Sequence, residues 1–102
     1  MRIIKAPFLV AAAEKHPKAR KWLESWSNLT KGAQWRHIED VRASYPAADT
    51  VQVSSGHNVV VFNVCKNDYR LIVAIHYDRG IVYTLRFLTH AEYDKDKWKK
   101  EL

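Results

Sequence analysis

The spacing of apolar residues changes once along this chain, and that change limits the fold more than any other feature. In the N-terminal half, apolar side chains recur every three or four positions, as at Ala19, Leu23 and Trp26, which predicts amphipathic helices. From Thr50 onward they alternate with a period of two or form β-branched runs, both of which are typical of strands. Helices followed by strands within one chain predict an α+β fold.

Two or three helices are expected in the N-terminal half. Pro7 can open the first helix, which His16 interrupts, because proline is well tolerated in a first helical turn. Pro17 suits the first position of a second helix, which ends in the break at residues 28–32. A third, shorter helix is expected within residues 35–44.

Four strands and one more helix are expected in the C-terminal half. The strands span residues 51–53, 58–64, 69–76 and 81–88, with Asp78-Arg79-Gly80 as a three-residue hairpin loop before the last one. Thr89 and Glu92 match the S/T-x-x-E capping box, so a helix is expected to begin at His90. It should run toward Trp98, which lies near the end of the chain and is a candidate for a partner interface.

The predicted architecture is a set of N-terminal helices packed on a three- to four-stranded antiparallel sheet, with a short C-terminal helix. A length of 102 residues is near the common size for one hydrophobic core, so residues 1–102 are expected to form a single domain. The only cysteine, Cys65, excludes an intramolecular disulfide and fits a reducing, cytoplasmic location. No segment approaches the roughly 18 apolar residues of a membrane span, so no membrane partner is expected.

The charge of the chain favours a polyanionic partner. Lysines and arginines number 17 against 11 acidic residues, which gives a formal net charge of +6. RNA, DNA, an acidic protein or an anionic membrane surface would each complement that charge. The basic residues are spread through the chain, so a detachable basic tail is not expected.

No pattern in the sequence predicts a metal or a cofactor. The five histidines and the cysteine lack paired spacings such as H-x-x-x-H or C-x-x-C. Gly32, Gly56 and Gly80 fit turns, and no glycine-rich phosphate loop occurs. We therefore expect neither a bound metal nor a cofactor.

Strand register predicts that two arginines share one face of the sheet. With a three-residue hairpin loop, Tyr77 pairs with Ile81, and the register follows by counting outward. Arg70 then lies opposite Leu88 and diagonal to Arg86. The core face would carry Leu71, Val73, Ile75, Tyr77, Ile81, Tyr83, Leu85 and Phe87. The opposite face would carry Arg70, Ile72, Ala74, His76, Val82, Thr84, Arg86 and Leu88.

Polar residues should therefore gather where the last strand enters the C-terminal helix, with Asn63 opposite Arg70 on the neighbouring strand. The predicted cluster comprises Lys66, Asn67, Arg70, Arg86, His90, Tyr93 and Lys95. His90 and Tyr93 are three residues apart and share a helix face. Two arginines on one sheet face are unfavourable unless an anion or an acid lies between them. Either an anionic ligand binds there, or Asp94, Glu92 or a C-terminal carboxylate pairs with them.

Three segments of this chain resemble a known family. Residues 60–63 (V-V-F-N), 67–71 (N-D-Y-R-L) and 89–95 (T-H-A-E-Y-D-K) are similar to the HigB toxins, part of the wider RelE-like group of bacterial toxin–antitoxin systems. The likeness also includes His16-Pro17, Trp35, Asp40-Val41 and residues 46–49, and so covers nearly the whole chain. One departure is Leu88, where a glycine is expected before the Thr-His pair. This departure concerns the backbone conformation at the junction of strand and helix and removes no reactive group.

This resemblance implies the toxin of a type II toxin–antitoxin system, with a RelE-like fold. The implied activity is that of a ribosome-dependent endoribonuclease that cuts translated mRNA and so inhibits translation. The implied partners are mRNA on the ribosome and a HigA-type antitoxin with a helix-turn-helix fold, and operator DNA would be reached only through the antitoxin complex. Two alternatives are a non-catalytic RNA- or ribosome-binding module and an inactive relative that still binds an antitoxin.

The predicted cluster suits such chemistry. Cleavage of RNA without a metal needs a base for the 2′-hydroxyl, an acid for the 5′-oxygen and cations for the charged phosphorane. On this hypothesis Arg70, helped by Arg86, clamps the phosphate, because a guanidinium can bind phosphate through two hydrogen bonds. His90 is the first choice for acid or base, and Tyr93 would orient a base or share the proton transfer. The RNA would be held further by Lys66, Asn67 and Lys95.

Overall fold

The computed structural model describes residues 1–102, and its five strands form one mixed sheet. The helices and strands are β1 (Arg2–Ile4), α1 (Ala6–Lys15), α2 (Arg20–Gly32), α3 (Ile38–Ser44), β2 (Asp49–Gln52), β3 (Asn58–Val64), β4 (Tyr69–His76), β5 (Ile81–Thr89), α4 (His90–Asp94) and α5 (Lys97–Glu101). Short 3₁₀ turns lie at Pro17–Ala19 and Cys65–Asn67. The strand order is β1-β5-β4-β3-β2.

The predicted α+β class is confirmed, but the expected count of three or four strands is wrong because β1 adds a fifth. β1 pairs in parallel with Ile81, Val82 and Tyr83 of β5, whereas all other neighbouring strands are antiparallel. Three residues are too few to show an alternating pattern. This strand therefore arises from its pairing with β5, which the local sequence does not reveal.

The helices α1, α2 and α3 contribute to the larger of two apolar cores, together with one face of the sheet. The apolar residues whose spacing predicted α2 point into this core. They are Ala19, Leu23 and Trp26, and none of them is more than 2% exposed. Trp26 meets Phe62 of β3 edge-on, with 5.5 Å between ring centroids. The longest helix, α2, has 13 residues, and no helix has both the length and the apolar character needed to cross a membrane.

The other face of the sheet carries a second apolar core, which the C-terminal helices cover. Its buried members are Val53, Val59, Val61, Ile72 and Trp98. Trp98 is only 2% exposed, so the interpretation of Trp98 as a candidate partner contact is wrong. The expected helix from His90 toward Trp98 is interrupted because Asp96 adopts a left-handed φ of 58°. Aspartate tolerates that conformation better than most residues, and the resulting break separates α4 from α5.

A bulge shifts the register within the β4–β5 ladder. Near the candidate site, Arg70 pairs with Leu88 as predicted. Toward the hairpin loop the pairing is offset by one residue, because Leu85 is an extra residue in β5. Ile81 therefore pairs with His76, one residue away from its predicted partner. The hairpin loop has four residues, not three.

This offset reverses the predicted faces of β5 between the bulge and the loop. Val82 lies in the core beneath the N-terminal helices, and Leu85 packs against the second core, which is the opposite of the prediction for both. Thr84 is buried, and its hydroxyl lies within hydrogen-bonding distance of main-chain carbonyls at the end of β1. Beyond the bulge, Phe87 and Leu88 lie on their predicted faces.

Candidate active site

The turn between β3 and β4 has an unusual backbone that directs a carbonyl group into the site. Cys65, Lys66 and Asn67 have positive φ angles of 51°, 62° and 111°, although none of them is glycine. Such conformations cost on the order of 1–3 kcal/mol each and persist only where the surrounding structure enforces them. One such constraint is the hydrogen bond from the main-chain nitrogen of His90 to the carbonyl oxygen of Asp68, at 3.0 Å.

Arg70 is a buried cation whose protein partners are not carboxylates. It is 9% exposed and lies between Asn63 of β3 and Leu88 of β5, as predicted. Its Nη1 donates to the carbonyl oxygens of Asn67 and Tyr69, at 3.0 and 3.1 Å. No carboxylate forms an ion pair with it. Burying a charge is costly unless it is paired, so a bound anion would offset the cost of burying Arg70.

The guanidinium of Arg70 also has a second donor edge, on which His90 is the only hydrogen-bond partner. Nη2 lies 3.4 Å from His90 Nδ1, and Nε makes no hydrogen bond within the chain. Nε is accessible to solvent. The buried side-chain nitrogen and oxygen atoms that lack a hydrogen-bond partner are Trp26 Nε1 and Thr30 Oγ1, and Arg70 Nε is not among them. Nε and Nη2 form one edge of the guanidinium, and such an edge can bind an oxyanion through two parallel hydrogen bonds.

Arg86 lies on the same face of the sheet and diagonal to Arg70, but it has partners of its own. Its Nη1 donates to the carbonyl oxygen of Leu85 at 2.8 Å, and its Nε lies 3.7 Å from Glu101 Oε1. A carboxylate from the C-terminal helix thus pairs with Arg86 but not with Arg70. Of the two arginines, only Arg86 has a carboxylate partner within the chain.

His90 is the first residue of α4, and a capping box fixes where that helix begins. The main-chain nitrogen of Glu92 donates to Thr89 Oγ1 at 3.2 Å, and that of Thr89 donates to Glu92 Oε1 at 3.0 Å. The predicted capping box is therefore confirmed. Hydrogen bonding to Thr89 holds the pKa of the Glu92 carboxyl below its usual value. The imidazole of His90 lies between Asn67 O, 3.1 Å from Nδ1, and Asp94 Oδ2, 2.9 Å from Nε2.

Tyr93 packs against Arg70 and is itself supported by Trp98. The guanidinium carbon of Arg70 lies 5.2 Å from the centroid of the Tyr93 ring, within cation–π range. The Tyr93 and Trp98 rings are stacked at 5.2 Å with an interplanar angle of 19°, and Trp98 Nε1 donates to the carbonyl oxygen of Tyr93 at 3.1 Å. Burial raises the pKa of the Tyr93 phenol. Its hydroxyl therefore stays protonated at neutral pH and can donate a hydrogen bond.

The structure brings together only part of the predicted cluster. His90 and Tyr93 both contact Arg70. Lys66 on the turn and Lys95 at the end of α4 are exposed and form no hydrogen bond or ion pair with these three residues. No group of three or more histidine, cysteine, aspartate and glutamate side chains lies close enough together to hold a metal ion.

Two residues at this site were not predicted to belong to it. Asp94 contacts His90 across one helical turn, and the spacing of four residues was a signal that could have identified it. Trp98 reaches the site because Asp96 breaks the helix, which the sequence pattern did not indicate. Asn67 was predicted as an RNA-binding residue of the turn, and in the structure its main-chain carbonyl contacts Arg70 and His90.

A family model matches residues 19–96 and places the chain among the RelE-like toxic components of toxin–antitoxin systems. The matched segment contains every candidate residue, from Lys66 to Lys95. Within that class, the chain belongs to the HigB toxin family, as its sequence motifs indicated.

Similar proteins extend the match along the chain. The mRNA interferase toxin HigB of Escherichia coli strain K12 is 29% identical over 94 residues, which cover 92% of this chain and 88% of that protein. The proteins named mRNA interferase HigB in Escherichia coli O157:H7 and in Shigella flexneri show the same identity and coverage.

Proposed function

We propose that this protein is a ribosome-dependent, metal-independent endoribonuclease that cuts translated mRNA and thereby inhibits translation. The observation that carries the proposal is Arg70, a buried cation with no carboxylate partner and with a donor edge that only His90 contacts. A backbone phosphate of RNA supplies the anion that this edge lacks. The similar proteins are named mRNA interferases, which supports the same activity.

The proposed reaction is transfer of the phosphate to the neighbouring 2′-oxygen. The 2′-oxygen forms a bond to phosphorus and gives its proton to a base, while the bond from phosphorus to the 5′-oxygen breaks and that oxygen receives a proton from an acid. Arg70 would stabilise the extra negative charge of the phosphorane through Nε and Nη2. His90 adjoins that position and would serve as the base or the acid, because imidazole changes its charge near neutral pH.

The other predicted residues have supporting roles in this proposal. Tyr93 is protonated at neutral pH and would orient the RNA by donating a hydrogen bond or by stacking on a base. Arg86 adds positive charge, part of which Glu101 offsets. Lys66 and Lys95 are exposed and would bind flanking phosphates. Asn67, also exposed on the turn, would contact the RNA through its side chain.

We further propose the partners and location that fit such an activity. A toxic component of a toxin–antitoxin system has an antitoxin as its counterpart, and we propose a HigA-type helix-turn-helix protein. Operator DNA would then be contacted only through that complex. Ribosomes and mRNA are cytoplasmic, and the one free cysteine, Cys65, suits a reducing compartment. Growth arrest on expression, suppressed by co-expression of an adjacent helix-turn-helix gene, would support this assignment.

The test is cleavage of a defined mRNA in a purified translation system, mapped by primer extension, with and without ribosomes. The wild-type protein is first treated with a chelator, which is then removed. It should still cut the mRNA, and only when ribosomes are present. Arg70→Met replaces the guanidinium with an unbranched apolar side chain. The cleavage rate should fall by at least about 100-fold, the lower range for loss of a charge-stabilising donor. Arg79→Ala, in the exposed hairpin loop at the other end of the sheet, is the matched control and should cut normally.

Circular dichroism and thermal unfolding would check that each variant is folded. His90→Ala should also lose activity, by about 100-fold or more. Full cutting by both Arg70→Met and His90→Ala would refute the site. Wild type that binds RNA or ribosomes without cutting would instead support the non-catalytic alternative.

A further inference from the structure

The Nδ1 atom of His90 faces two groups that need opposite protonation states. Asn67 O, at 3.1 Å, can only accept a hydrogen bond, whereas Arg70 Nη2, at 3.4 Å, can only donate one. Nδ1 can therefore satisfy only one of them at a time. It donates to Asn67 O when it carries a proton, and it accepts from Arg70 when it does not.

The other ring nitrogen of His90 has one contact, which fixes its protonation. Nε2 lies 2.9 Å from Asp94 Oδ2, one helical turn further along α4. A carboxylate only accepts hydrogen bonds, so Nε2 keeps its proton in both states of Nδ1. The two side chains are 52% and 59% exposed, and so exposed a pair adds little to stability. The effect of this contact is to orient the imidazole ring of His90.

We propose that Nδ1 is the nitrogen of His90 that exchanges a proton with the RNA, and that Asp94 is the positioning residue that reserves Nε2. This inference rests on the proposed function, in which His90 is the acid or base. As base, Nδ1 takes the 2′-hydroxyl proton as the new oxygen–phosphorus bond forms. As acid, it gives a proton to the 5′-oxygen as that oxygen leaves. In either role a phosphate on the donor edge of Arg70 lies beside Nδ1.

Proton transfer at Nδ1 also changes its contact with Arg70. A protonated Nδ1 no longer accepts from Nη2 and turns its proton to Asn67 O. Arg70 remains anchored meanwhile, because its Nη1 is bonded to Asn67 O and Tyr69 O. The Nη2 donor is thereby released to the phosphate in the protonated state of His90.

Replacement of His90 by Nδ1-methylhistidine tests the reactive nitrogen directly. The methyl group blocks proton exchange at Nδ1, and Nε2 then donates to Asp94 only while the ring carries a positive charge. Cleavage should fall by at least about 100-fold, the lower range for loss of an acid or base. Full cleavage by this protein, with His90→Ala inactive, would overturn the inference. An inactive wild type, or a fully active His90→Ala, would refute the proposed function itself.

Variants at position 94 test positioning. Asp94→Ala should lower the cleavage rate about 10-fold or more, within the range for outer-shell partners of an imidazole. Asp94→Asn retains an oxygen that can accept from Nε2 and should restore most of that loss. Asp96→Asn, a neighbouring exposed carboxylate that does not contact His90, is the control and should cut normally. Equal activity of wild type and Asp94→Ala would overturn the role of Asp94.

A spectroscopic readout does not depend on activity. In ¹⁵N spectra of wild type with neutral His90, the signal of Nε2 should be that of a protonated nitrogen and the signal of Nδ1 that of an unprotonated one. In Asp94→Ala the two signals should shift toward an averaged mixture of tautomers. A wild-type ring protonated at Nδ1 instead would overturn the inference.

Discussion

Replacing Trp98 with alanine should destabilise this protein strongly, because Trp98 is the one fully buried side chain of the C-terminal segment that follows β5. Its side chain is 2% exposed within the second core, and its indole nitrogen donates to the carbonyl oxygen of Tyr93. Truncation of a buried tryptophan to alanine costs about 3–5 kcal/mol. For a domain of this size, each kcal/mol lowers the melting temperature by about 4 °C or more, so Tm should fall by at least about 12 °C.

The assay for this effect is urea unfolding followed by far-ultraviolet circular dichroism, since the substitution removes a fluorophore. Trp98→Phe keeps an aromatic ring against Tyr93 but loses the hydrogen bond, and should cost about 1–2 kcal/mol. Lys99→Ala is a neighbouring control. Its ammonium lies 5.6 Å from the Trp98 ring centroid, and its loss should cost under about 1 kcal/mol.

A loss of less than about 1 kcal/mol in Trp98→Ala would refute this reasoning, because it falls below the cost of removing any large buried side chain. It would mean that α5 does not pack on the sheet in solution. Trp98 would then be available to a partner, as the sequence alone suggested.

Thr89→Ala removes one half of the capping box and should lower the free energy of unfolding by about 1 kcal/mol in urea, whereas Thr89→Ser should not. The lowered pKa of Glu92 in the folded protein means that its contribution is present above the ordinary carboxyl value of 4.5 and is lost as pH falls through the folded value. The difference in unfolding free energy between wild type and Glu92→Gln should therefore shrink as pH is lowered, and a constant difference would contradict this. If Lys66 and Lys95 each bind a phosphate, either alanine variant should reduce the slope of log affinity for RNA against log salt concentration by about 0.7. An unchanged slope would exclude that lysine from the RNA contact.

Features set by neighbouring residues could be predicted from the sequence. The Thr89–Glu92 capping box needs only two residues three apart, and it fixed the start of α4. The helical spacing of Leu23 and Trp26 correctly gave the buried side of α2. The pairing of Arg70 with Leu88 was also predicted, although the assumed loop was one residue too short. The extra residue at the bulge compensated for that error at the site.

Features set by contacts distant in sequence could not be predicted. The bulge at Leu85 arises in the twisted sheet at a position with no glycine to mark it. The parallel strand β1 exists only through its pairing with β5. The carbonyl of Asn67 reaches the site because three consecutive residues adopt positive φ angles, and nothing in their side chains indicates that conformation. The residues of the site were therefore easier to predict than the contacts that hold them.

The bulge at Leu85 also makes the hairpin loop a suitable insertion point. It divides the β4–β5 ladder into two segments, and each is held in register by its own buried side chains, such as Val82 on one side and Ile72 on the other. Extra residues between Asp78 and Arg79, both exposed, would lengthen the loop without altering the segment that carries Arg70. An epitope or a fluorescent label can be grafted there, at the opposite end of the sheet from His90, to follow the toxin while it is active.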